Sequence, residues 1–192
     1  MMRIDPEPLL TAEQIAARVR ELAAEIRRDL AGTRPLVLGV LKGAAFFTAD
    51  LARALDMDAE VDFIRARSYA GTASTGAVAV SETEGLSPSG RTILLVEDIV
   101  DTGATLSVLR SRLAAAGAET VRVCALLDKP SRRTTPVTLD YAGFVVEDHF
   151  VVGYGLDYGE RFRTLPALHV LKGRDGAECP RPGRGKPPEE KT

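Results

Sequence analysis

The sequence has little cysteine, no surplus of either charge and no long apolar run, and each shortage closes off a class of protein. Only Cys124 and Cys179 are present, too few for a disulfide framework. Cys124 lies in an apolar run and reads as a small buried hydrophobe; Cys179 sits in a Pro- and Gly-rich tail. Formal net charge is −2 over 192 residues, so no basic footprint for a nucleic-acid duplex is expected. That average still allows a small basic pocket, because phosphates are bound locally. No apolar run nears the ~20 residues of a membrane-spanning helix. The start of the chain is acidic and Pro-broken, unlike a signal peptide. A cytoplasmic protein is expected, with neither nucleic acid nor membrane as partner. No internal repeat is found.

What is present is ordinary globular material: 45% hydrophobic and 27% charged residues, as in a chain that builds one core. Residues 1–172 read as a single domain. From Gly173 to Thr192 there is almost no large apolar residue, so this tail cannot offset its ordering entropy and is expected to be disordered.

Residues 11–30 read as the first helix. Thr11 with Gln14 fits a capping box, and Ile15, Val19, Leu22 and Ile26 recur at helical spacing. Residues 36–41 form a continuous apolar run, the mark of a strand buried on both faces. A second helix is expected over 44–55 and a strand over 61–64. Residues 65–77 lack periodicity and read as a long mobile loop, of the kind that serves as a lid. A short strand at 78–80, a turn at 85–90, a buried strand at 92–96, a helix at 106–116 with Gly117 at its C-cap and a third buried strand at 121–127 follow. Short strands at 144–146 and 150–152 flank an acidic turn. Strands alternating with helices predict an α/β fold with a mainly parallel sheet. Ligands of such sheets bind beyond the carboxyl ends of the strands. That rule selects Leu41-Lys42-Gly43, residues 97–105 and Asp128-Lys129.

In the second of these places three carboxylates, Glu97, Asp98 and Asp101, fall within five residues at a buried strand end, which is costly without partners. Asp101-Thr102-Gly103-Ala104-Thr105 then opens a helix, where hydroxyls and unsatisfied N–H groups suit a phosphate monoester. Taken alone, the segment also suits a capped helix behind a solvated acidic turn. A sugar phosphate, with its ring hydroxyls on the acids and its phosphate on the loop, fits more of the pattern.

Residues 96–106 resemble the signature of type I phosphoribosyltransferases, and further segments resemble the hypoxanthine-guanine branch of that family. The resemblance covers residues 10–172 and implies a type I phosphoribosyltransferase-like fold: a mainly parallel central sheet flanked by helices, with a small hood over the active site. It implies that Glu97 and Asp98 hold the ribose hydroxyls of phosphoribosyl pyrophosphate, and that Asp101, Thr102, Gly103, Ala104 and Thr105 wrap its 5′-phosphate. Asp101 is also the implied general base at purine N7. Leu41-Lys42-Gly43 resembles the family's pyrophosphate loop, where a non-prolyl cis peptide can occur; Lys42, Gly43 and Arg163 are the implied pyrophosphate ligands. Ser68 and Tyr69 match the lid. Lys129, Phe150 and Val151 are the implied purine contacts. A lysine only donates, so Lys129 selects a 6-oxo acceptor over the amino group of adenine. Asp157 is the implied carboxylate near Mg²⁺, with Glu97 and Asp98 close to the metal. His149 is expected to be peripheral and His169 structural. The implied activity is transfer of phosphoribosyl to hypoxanthine or guanine, with a homodimer or homotetramer as the expected assembly. Another base within the same fold, such as xanthine or adenine, the latter disfavoured by Lys129 and Phe150, and a regulator that senses phosphoribosyl pyrophosphate and binds nucleic acid, are the rival readings.

Overall fold

A computed structural model describes residues 3–68, 78–81 and 87–173. Its core is a six-stranded sheet built from β2 (Leu36–Leu41), β3 (Glu60–Ser68), β4 (Val78–Ser81), β5 (Thr92–Val100), β6 (Thr120–Asp128) and β7 (Tyr141–Val145). Their order is β4-β3-β2-β5-β6-β7. Every pairing is parallel except β3 with β4. A second, three-stranded sheet joins β1 (Arg3–Ile4), β9 (His169–Lys172) and β8 (Val151–Val152), with β9 in the middle. Among the described residues three α-helices complete the architecture: α1 (Ala12–Asp29), α2 (Ala45–Leu55) and α3 (Ala104–Ala115). A mainly parallel central sheet flanked by helices, with a small separate sheet, is the architecture that the resemblance implies.

The apolar runs form buried strands because both faces of the large sheet are covered. The pleat sends alternate side chains to opposite sides. Val37, Leu94, Val96, Cys124 and Leu126 meet α1 and α2 on one side. Leu36, Leu38, Val40, Ile93, Leu95, Val123 and Ala125 meet Leu106, Leu109 and Leu113 of α3 on the other. The helical spacing of α1 holds as read: Ile15, Val19, Leu22 and Ile26 are all buried, and both bonds of the Thr11–Gln14 capping box are present. Truncating Leu22 or Phe47, both fully buried, to alanine should cost about 2–5 kcal/mol. Burial also pushes the Cys124 thiol well above its usual range, so it behaves as a hydrophobe. Arg18 of α1 covers the edge of the sheet, donating to Ala142 O at 2.8 Å and Gly143 O at 3.1 Å.

Several boundaries differ from the sequence expectations. Residues 65–68 are not loop: β3 continues to Ser68 because β4 returns antiparallel and pairs Arg65 with Ser81 and Ser68 with Val78. The lid residue Ser68 is therefore the last residue of a strand, while Tyr69 and the rest of the expected loop lie outside the described residues. β5 extends to Val100, so Glu97 and Asp98 stand within the strand, and Glu97 is paired with Ala125. α3 begins at Ala104, two residues before its expected start, directly behind Gly103 at φ +84°. The expected strand at 144–146 is displaced to Tyr141–Val145, where it pairs with β6. His169 lies in β9, its Nδ1 2.9 Å from Asp5 O, a contact within the small sheet. The tail from 174 onward, with Cys179, lies outside the described residues.

Candidate active site

The carboxyl ends of β2, β5 and β6 open into one cleft of about 830 Å³. Its wall includes Lys42, Gly43, Glu97, Asp98, Asp101, Thr102, Gly103, Thr105, Lys129, Phe150, Val151, Asp157 and Arg163. Thus 13 of the sequence-selected residues, drawn from four separate segments, meet in one place. Ala104 is not part of the wall; its N–H donates to Thr102 Oγ1 at 3.3 Å.

β2 ends at Leu41, and the Leu41–Lys42 peptide is cis. Gly43 then lies against β5 so closely that a Cβ there would fall 1.6 Å from Asp98 Oδ2. No side chain fits, so glycine is required. Asp98 itself is tied to the strand, accepting from Ile99 N at 2.7 Å. Desolvation holds its carboxyl above the ordinary carboxylate range, while hydrogen bonds from Glu97 and the Ile99 N–H oppose that rise. A cationic or hydroxylic ligand would relieve the same desolvation.

The turn from β5 into α3 is held from behind. Thr102 O accepts from Thr134 N at 3.2 Å and Thr135 N at 2.9 Å. A Cβ on Gly103 would meet Thr135 O at 2.5 Å. Arg133, ion-paired with Asp128, packs its stem against the same glycine. The first N–H groups of α3, lacking intrahelical acceptors, are aligned by this turn and carry the positive end of the helix dipole.

Lys129 leaves β6 almost fully buried, at 3% exposure. Its ammonium donates to His149 O at 2.5 Å and lies 3.9 Å from both Asp101 Oδ1 and Asp148 Oδ1. Neither the carbonyl of His149 nor Asp148 was selected from sequence. The ring of His149, expected to be peripheral, faces Glu147 Oε2 at 3.1 Å. Phe150 meets Tyr158 edge-on, with ring centroids 5.6 Å apart at 82°. Val151 is buried at the start of β8.

Opposite these groups Arg163 donates to Gly155 O at 2.7 Å and pairs with Asp157 Oδ1 at 2.6 Å. Asp157 Oδ2 accepts from Glu160 N at 2.8 Å. Glu160 Oε2 then reaches Lys42 Nζ at 3.0 Å and Arg163 Nη2 at 3.3 Å. The Lys42 hydrogen bond, aided by Arg163, holds the Glu160 carboxyl below its usual range. Glu160 was also missed, although the spacing Asp157, Glu160, Arg163 hints at paired charges.

The Phosphoribosyl transferase domain family matches residues 7–159. The hypoxanthine-guanine phosphoribosyltransferase of Bacillus subtilis is 45% identical over 174 residues, spanning 90% of this chain and 97% of that protein. This chain belongs to the hypoxanthine-guanine phosphoribosyltransferase family. Among solved structures of the family, a Bacillus anthracis hypoxanthine-guanine phosphoribosyltransferase superposes with a TM-score of 0.83 at 37% identity, covering 90% of this chain and 100% of that one. The Trypanosoma cruzi hypoxanthine phosphoribosyltransferase in complex with its product IMP gives 0.81 at 36%, covering 87% and 94%. Family members also occur within longer proteins. The bifunctional TilS/HprT protein of Listeria innocua is 44% identical over 165 residues, and there the match spans 85% of this chain but only 26% of the relative.

Proposed function

We propose that this chain transfers the 5-phosphoribosyl group of phosphoribosyl pyrophosphate to hypoxanthine or guanine, giving IMP or GMP and pyrophosphate. One observation carries the choice of base. The Lys129 ammonium and the Asp101 carboxylate stand 3.9 Å apart on one cleft wall. A 6-oxopurine presents O6, an acceptor, beside N7, which carries a proton in the reacting tautomer. Lysine and aspartate side by side match that pair; the amino group of adenine would confront the lysine with a second donor.

In this reading Glu97 and Asp98 accept from the ribose hydroxyls, and the turn 101–105 takes the 5′-phosphate on backbone N–H groups and hydroxyls. Phe150 covers the face of the purine, and the backbone of Val151 meets its edge. Asp101 accepts the N7 proton as the bond to C1′ forms. Lys42 and Arg163 receive the charge that grows on the departing pyrophosphate.

Mg²⁺ fits the donor set. The acids that line the cleft offer hard oxygens, and Asp157, Glu97 and Asp98 are the proposed protein carboxylates near it. Mg²⁺ keeps waters and phosphate oxygens as most of its ligands, so one or two of these carboxylates would be enough. When bound, it supplies positive charge to the leaving pyrophosphate.

Among the described residues no helix is long and apolar enough to cross a membrane; a cytoplasmic enzyme assembled as a homodimer or homotetramer completes the proposal. Sedimentation at micromolar concentration tests the assembly. The deciding measurement for the activity is kcat/KM with hypoxanthine, guanine, xanthine and adenine in turn. Hypoxanthine or guanine should lead; adenine as the best substrate would sink the assignment.

A further inference from the structure

At the exposed side of the cleft an acid stands where an anionic ligand is proposed to bind. Glu160 Oε2 lies 3.0 Å from Lys42 Nζ and 3.3 Å from Arg163 Nη2. The two cations come from different segments, Lys42 behind β2 and Arg163 behind β8. Glu160 supplies the one ion pair that Lys42 makes among the described residues. A carboxylate oxygen shared by two cations has the chemistry of a pyrophosphate oxygen: it is anionic, it only accepts, and it sits within hydrogen-bond reach of both.

The backbone of Glu160 is fixed while its side chain is not. Its N–H is held by Asp157 at 2.8 Å and its φ is +64°, a region costly for any residue but glycine. The side chain, by contrast, is 65% exposed. Exposed pairs hold their partners weakly. Arg163 also has contacts to Gly155 O and Asp157 that do not involve Glu160, and these can hold the guanidinium in position for a new anion. Its Nε, buried and without an acceptor among the described residues, leaves a donor to spare.

We propose that Glu160 is a resident counter-anion of the pyrophosphate subsite, bridging Lys42 and Arg163 until a pyrophosphate oxygen exchanges for its carboxylate. The identity of the ligand rests on the function proposed above. Because the exchange opposes donor substrate and product pyrophosphate alike, Glu160 weakens both and speeds product departure. It is a positioning residue for the two cations, without contact to the reacting atoms.

The test is calorimetric titration of pyrophosphate, with and without magnesium chloride, into the full chain and into its Glu160→Gln form. Loss of the two ion pairs of Glu160, whose own side chain is exposed, should tighten pyrophosphate about threefold to tenfold. KM for phosphoribosyl pyrophosphate should fall by a similar factor, with KM for hypoxanthine unchanged. A glutamate that merely orders the loop predicts the opposite direction, so an unchanged or weaker pyrophosphate affinity overturns the proposal. Glu160→Ala should tighten binding in the same sense; weakening there counts equally against it. Hypoxanthine turnover by the unaltered chain is measured in the same preparation. Its absence would sink the assigned activity, whereas pyrophosphate affinity still decides the role of Glu160.

Discussion

Lys129 and Lys42 stand on the same cleft and are held in opposite ways. Lys129 is buried, with its ammonium on the His149 carbonyl and two carboxylates 3.9 Å away. Lys42 has about half its side chain in solvent and, among the described residues, one ion-pair partner, the exposed Glu160. Removing a cation from water is expensive unless fixed polar groups replace its hydration. The surroundings of Lys129 are therefore set before any ligand arrives. An exposed pair contributes little, so Lys42 can change partners at small cost. On the function proposed above, this contrast implies a division of labour: the buried side would recognise a base by fixed geometry, and the exposed side would trade one anion for another.

The largest effect expected from this contrast is on the buried side. Asp101→Asn should lower kcat by about 10²- to 10⁴-fold, the usual worth of a positioned general base, while phosphoribosyl pyrophosphate still binds. Single-turnover rates and equilibrium binding measured together check it; unchanged turnover would remove Asp101 from the mechanism. Next comes Lys129→Met, which keeps the stem and deletes the donor. It should reduce kcat/KM for hypoxanthine about 10- to 100-fold, as for loss of a charged hydrogen bond, and reduce that for adenine much less. Equal losses for both bases would break the comparison, because Lys129 would then be structural only.

On the exposed side, Lys42→Ala should raise KM for phosphoribosyl pyrophosphate about tenfold, the loss of one charge-assisted contact. It should change unfolding free energy by less than about 1 kcal/mol. Chemical denaturation distinguishes the two lysines, since Lys129→Met should destabilise the fold measurably more. A thermodynamic penalty for Lys42→Ala as large as that for Lys129→Met would erase the contrast.

These predictions depend on residues that were unequally visible in the chain. The buried strands and α1 were readable because their signal is local: six apolar residues in a row, or Ile15, Val19, Leu22 and Ile26 at helical spacing. The four-part site was readable through short motifs at strand ends. Arg65 to Ser68 escaped because their ladder partner, β4, is separated from them by residues of unreadable period. Asp148 and Glu160 escaped for a different reason. Their importance lies in contacts across the cleft, to Lys129 and Lys42, and no local pattern encodes an ion pair 118 residues apart in sequence.

The smallest effect is expected far from both lysines. Tyr141 donates to Asp29 at 3.2 Å, and burial, with the nearby carboxylate, pushes its phenol from 10.0 up to about 12. A raised phenol pKa means that the folded chain keeps this proton while the unfolded chain loses it. Its contribution to stability is full below pH 10 and falls as pH rises from 10.0 through about 12. Tyr141→Phe should flatten that alkaline decline in denaturation midpoints and leave both substrate KM values unchanged.

The placement of β9 has a consequence for the order in which the enzyme is made. β9 is the middle strand of the small sheet, pairing Leu171 with Ile4 and Val170 with Val151. Neither β1 nor β8 has a neighbour until residues 169–172 have been synthesised. On the proposed function, a chain emerging from the ribosome is expected to form the 101–105 turn before the small sheet closes beside Phe150 and Val151, so the two proposed substrates would acquire their binding surfaces at different moments of biosynthesis. Hydrogen exchange on ribosome-bound chains, arrested before residue 169 or after residue 172 has left the exit tunnel, reads this order. The amides of β5 and β6 should be protected already in the shorter chain and the Leu171 amide, bonded to Phe150 O at 2.8 Å, only in the longer one; unprotected β5 and β6 amides in the shorter chain would contradict it.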